Sequence, residues 1–139
     1  MMKKIFLLLC IISLKVISFA QSKSDTYSVT INFNSVCCGV PDSKQLFNEI
    51  ILFKKKNKIK TIAYEKTAPL GKEGEYMLGF MLKELSKKQK VLFIDLLKKT
   101  VPLLTDKKNN SSGNAVMEVN VKKIPLAELG RATIVTEKI

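Results

Sequence analysis

The chain has 139 residues, 46% of them hydrophobic and 26% charged, with few Gly or Pro. That is the composition of one globular domain, and it excludes collagen-like, coiled-coil and disordered chains. Basic residues outnumber acidic ones 24 to 12, and there is no His. The missing His removes Ser-His and Cys-His nucleophile pairs, imidazole general bases and His-ligated metal sites, so the chain is expected not to be an enzyme.

Residues 1–20 read as a secretory leader. Lys3 and Lys4 are followed by the apolar run Ile5–Leu14, and Ser18 and Ala20 stand at −3 and −1 of a cut before Gln21. Lys15 ends the run well short of the roughly 20 apolar residues of a membrane span. The expected product is one α+β domain over residues 21–139, exported to the periplasm or beyond, with no transmembrane segment after cleavage.

Val29, Ile31 and Phe33 alternate with polar residues, which predicts a first strand. Asp42 and Gln45 form a capping-box pattern that opens a helix to about Lys56, with Leu46, Phe47, Ile50, Ile51 and Phe53 as its apolar stripe. Ile59–Tyr64 reads as a second strand, and Pro69-Leu70-Gly71 fits a type I turn. Glu75–Leu82 is a third strand, with Tyr76, Leu78, Phe80 and Leu82 on one face and Met77, Gly79 and Met81 on the other. Ser86 and Gln89 cap a second helix striped by Leu92, Phe93, Leu96 and Leu97 and ended by Pro102. A polar loop over Asp106–Gly113 leads to a fourth strand, Ala115–Lys122. The tail adds a short turn at Leu126–Gly130 and a strand near Thr133–Val135.

The order β-α-β-β-α-β, with one apolar face per helix, predicts both helices on one side of an antiparallel sheet. That is the ferredoxin-like, split β-α-β arrangement, here with a short C-terminal extension. Right-handed crossovers place the first and third strands in the middle.

Cys37 and Cys38 are the only cysteines left once the leader is cut, and they lie between a strand end and a helix start. There the helix dipole favours a thiolate, and thiolates suit soft metals such as Cu(I). In this position the sequence resembles heavy-metal-associated domains, which hold their metal in the same first loop; those carry Cys-x-x-Cys, whereas these cysteines are adjacent. The alternatives are a vicinal disulfide, strained and therefore reducible, and a pair of unlinked thiols.

Gly71-Lys72-Glu73-Gly74-Glu75 matches no phosphate-loop spacing and precedes a strand, so it reads as a hairpin loop. The third strand offers Tyr76 and Phe80 where an RNA-recognition sheet would want aromatics, but the alternation sends both into the core; no nucleic-acid partner is expected. Met77 and Met81, on the face away from the helices, form a candidate interface, covered by the tail from Ile124 to Ile139 or by a second copy in a homodimer. The lysine runs Lys54–Lys60, Lys87–Lys90 and Lys107-Lys108 read as ordinary solvated faces, with attraction to anionic lipid or polysaccharide as the alternative. The expected function is an exported, non-enzymatic binding module for a protein or anionic surface. The alternative is a thiol-dependent metal-binding or redox protein acting through Cys37 and Cys38.

Overall fold

The computed structural model describes residues 26–36, 39–105 and 113–139. They form one antiparallel five-stranded sheet and two helices: β1 (Thr26–Ser35), α1 (Lys44–Lys56), β2 (Ala63–Ala68), β3 (Tyr76–Met81), α2 (Lys87–Thr100), β4 (Gly113–Lys122) and β5 (Thr133–Lys138). A 3-10 turn, Val101–Thr105, extends α2 and contains Pro102. The strand order is β4-β1-β3-β2-β5, and every neighbouring pair is antiparallel. Among the described residues, no helix is long and apolar enough to cross a membrane.

Alternation decides which face meets the helices. Val29, Ile31 and Phe33 of β1 share one core with Tyr76, Leu78, Phe80 and Leu82, and both helices contribute to it through Leu46, Ile50, Phe53, Phe93 and Leu97. Aromatic rings tie the layers together, with Phe93 lying between Phe53 and Phe80 at centroid distances of 5.5 and 5.6 Å. Ile51 and Leu92, expected on the buried stripes, are instead exposed. Each helix meets the sheet through a narrow line of positions, and a residue one step off that line turns to solvent.

Ser86 and Gln89 form the expected reciprocal capping box on α2. At α1 the cap is Ser43, without a side-chain bond, while Asp42 one residue earlier accepts the Lys44 N–H at 2.9 Å. The first-helix capping box is therefore not formed.

The second strand starts four residues later than the apolar run Ile59–Tyr64 suggests. The end of α1 absorbs that run. Lys58 takes a left-handed φ of 52°, its N–H reaches the Lys55 carbonyl, and Ile59 N–H reaches the Lys54 carbonyl at 3.0 Å. This is a Schellman C-cap with Lys where Gly is usual, and Ile59 packs against the core as its hydrophobic partner. Lys58→Gly should therefore raise stability by about 0.5–1 kcal/mol by removing the Cβ penalty, which urea titration would detect. A loss instead would mean that the lysine side chain matters more than its backbone.

Thr67 and Ala68, past the end of the expected second strand, belong to β2, and the following loop is closed by Leu70 N–H on the Glu75 carbonyl at 2.7 Å in place of a type I turn. The last strand is longer than Thr133–Val135: it runs to Lys138, and Ile139 exchanges both backbone bonds with Ile62.

Candidate functional site

Cys37 and Cys38 lie outside the described residues. Their flank is described. Gly39 N–H donates to Ser35 Oγ at 3.2 Å and to Glu73 Oε2 at 3.4 Å, and Ser35 Oγ also donates to Glu73 Oε2. Glu73 N–H in turn donates to Glu75 Oε2 at 2.9 Å. The two glutamates of the β2–β3 loop thus hold backbone, with Glu73 reaching across to the segment after β1.

Met77 and Met81 do occupy the face away from the helices, since the core cluster takes Tyr76, Leu78 and Phe80 from the same strand. They are not an exposed pair. Met77 is only 5% exposed and Met81 is half-buried. The topology supplies the cover. β4 ends at the edge beside Thr26, at the start of β1, while β5 begins beside Ala68, at the far end of β2. Residues 123–132 must therefore pass diagonally across a sheet face, and the helices already fill the other one.

Where the crossing starts, it is fastened by a polar cluster. Lys123 Nζ stands 2.9 Å from Glu65 Oε1, 3.8 Å from Met81 Sδ and 4.7 Å from the centre of the Tyr27 ring. Tyr27 OH donates to Glu65 Oε2 at 2.7 Å. Glu65 is 2% exposed, so burial of its charge is compensated by this cation and this hydroxyl. Glu65, Lys123, Ser28, Met81 and Thr136 line a cavity of about 230 Å³.

Sequence reasoning missed this cluster. Tyr27 has the parity of Val29, which points it at the core by simple alternation. The ladder is irregular beside it: Ser28 Oγ accepts the Leu82 N–H at 3.2 Å, and Asn120 in β4 has a φ of 55°. Tyr27 lies on the opposite face, where its ring covers Gly79 so closely that a Cβ there would come within 2.5 Å of it. A correctly placed β2 would have put Glu65 between Ala63 and Thr67 on that face, a lone acid needing a partner.

Burial raises the Tyr27 phenol well above its ordinary value, and the hydrogen bond to Glu65 and that carboxylate's charge add to the rise. Burial likewise pushes Tyr64 up to about 12, with the Glu137 bond and charge contributing. The sign follows. Above pH 10 an unfolded chain releases these phenolic protons while the folded one keeps them, so stability falls as pH rises from about 10 towards 12. Tyr64→Phe should flatten the wild-type slope in that window by about 1.4 kcal/mol per pH unit. Identical slopes for the two proteins would refute the shift.

The sheet edges differ. β5 is six residues long and ends in Glu137 and Lys138, with almost every residue exposed. β4 is ten residues long, stands at the other end of the described strand order beside β1, and borders a groove of about 760 Å³ whose lining includes Val101, Pro102, Ala115, Met117 and Val119. Val119 is 50% exposed there.

Neither a family model, nor a curated protein, nor a solved structure matches this chain significantly.

Proposed function

We propose that this chain is an exported, non-enzymatic binding module whose protein partner docks in the groove beside β4, the outer strand of the described sheet. The arrangement is read as ferredoxin-like, a split β-α-β sheet in the order β4-β1-β3-β2 with β5 appended, which the antiparallel pairings and the shared helix face support. One observation carries the binding site: an apolar groove runs beside β4, with Val101, Pro102, Met117 and Val119 in its lining. Apolar side chains of a partner protein fill such a groove, and their removal from water drives the association. The leader over residues 1–20 supports a periplasmic or extracellular setting. A photo-crosslinking amino acid at position 119, in exporting cells, should give a discrete protein adduct that the same group at Thr136 on the β5 edge does not give. No adduct at position 119, or the same adducts from both edges, would overturn the reading.

A second reading is thiol-dependent metal binding or redox chemistry through Cys37 and Cys38, whose C-terminal neighbour Gly39 is held by the Glu73 carboxylate. It requires the mature chain to take up Cu(I) stoichiometrically and a Cys37→Ser, Cys38→Ser double variant to fail.

A further inference from the structure

The outer surface of the helix pair is used by neither reading. α1 carries four lysines and α2 five, against the single acids Glu49 and Asp95. The buried line Leu46, Ile50, Phe53 leaves Asn48, Ile51, Leu52 and Lys55 on the outward side of α1. In α2 the line Phe93, Leu97, Thr100 leaves Lys88, Val91, Leu92, Asp95 and Lys99 outward. Leu52 is 58% and Val91 59% exposed, and Ile51 and Leu92 are exposed as well. The two helices meet at Phe53 and Phe93, and Gln89 Nε2 donates to the Asn57 carbonyl, so the end of α1 lies beside the first turns of α2. A shallow groove between them brings Leu92 alongside Lys56 and Lys99. The result is an outward surface that carries exposed bulky aliphatic side chains together with flexible ammonium groups.

We propose that this face docks on an anionic lipid bilayer, Ile51, Leu52, Val91 and Leu92 entering the headgroup layer while lysines such as Lys55, Lys56, Lys88 and Lys99 meet the lipid phosphates. Charge complementarity selects this occupant. Lys is depleted from protein–protein interfaces, whereas interfacial helices combine Lys on a polar face with large aliphatic residues that sink into the acyl boundary. Long lysine stems lie along such a surface and keep their charge at the phosphate level. An acidic surface alone would offer no apolar layer for the four exposed aliphatic side chains. None of these residues lines the β4 groove, so failure here would leave that reading standing.

Co-sedimentation of the full mature chain with phosphatidylglycerol–phosphatidylcholine vesicles tests the proposal, with pure phosphatidylcholine vesicles as reference. Binding to the anionic vesicles should be at least about tenfold stronger and should fall steeply with salt. A Leu52→Glu, Val91→Glu variant changes only exposed positions, so it should keep the native circular dichroism while losing about tenfold or more in vesicle affinity. Lys55→Glu with Lys99→Glu should do the same. Equal binding to neutral and anionic vesicles overturns the proposal. So does unchanged binding of the Leu52, Val91 variant, which would reduce the effect to overall charge. Full competition by soluble polyglutamate without any dependence on Leu52 and Val91 would point to an acidic protein and overturn it too.

Discussion

Replacing Lys123 by methionine is expected to destabilise the protein by about 3 kcal/mol in urea titration at neutral pH, several times the worth of an exposed ion pair. Methionine keeps the apolar stem against Met81 and Tyr27, so the loss isolates the ammonium group. What remains is the Glu65 carboxylate, 2% exposed, still accepting from Tyr27 but without the cation 2.9 Å away. Desolvating a charge costs several kcal/mol unless a partner compensates it, so the penalty comes from the group left behind. The same logic fixes the double variant. Lys123→Met with Glu65→Gln should cost less than Lys123→Met alone, because the amide removes the stranded charge while still accepting from Tyr27. A single-variant loss below about 1 kcal/mol would place the pair among solvent-screened ones.

How far this structure could be read from its sequence follows from which forces are local. β3 and the α2 capping box were legible because period-two alternation and a Ser-x-x-Gln signature arise within a few residues. β2 was misplaced because Ile59 looks like strand yet serves a Schellman cap, and nothing local announces that Lys58 will take a positive φ. The Met77 and Met81 face was assigned correctly as the face away from the helices. Its cover depended on where a tail with little periodicity would run, which is a matter of topology. The Tyr27–Glu65–Lys123 cluster joins positions 38 residues apart and 58 residues apart, and it also required an irregular ladder at Ser28. β4 was visible as a strand, but the groove beside it takes part of its lining from Val101 and Pro102 of the 3-10 turn, which no local pattern sets against that strand.

Ending the chain at Lys123 is expected to abolish the native fold at room temperature or leave a newly self-associating protein. The cut removes β5 and with it the pairing of six β2 residues, the Ile62–Ile139 backbone exchange and the Tyr64–Glu137 bond. It also removes the segment that crosses the sheet, returning Met77 and its buried neighbours Thr30 and Thr67 to water. One buried Met side chain is worth about 1.5–3 kcal/mol. Several such side chains together with an outer strand approach the roughly 5–15 kcal/mol that holds a whole domain together. β2 would then be an edge with an uncovered apolar face behind it, the usual template for strand-to-strand association. Because a truncated chain that fails to fold says little by itself, the full-length protein supplies the sharper reading. Met77→Ala should lower its stability by about 2 kcal/mol or more, as for a buried side chain in a packed layer, and Met81→Glu should leave its sedimentation unchanged. If instead the truncated chain kept nearly full stability, the tail would be ornament. If Met81→Glu dissociated a dimer, this face would be closed by a second copy and the diagonal strap would not be its cover.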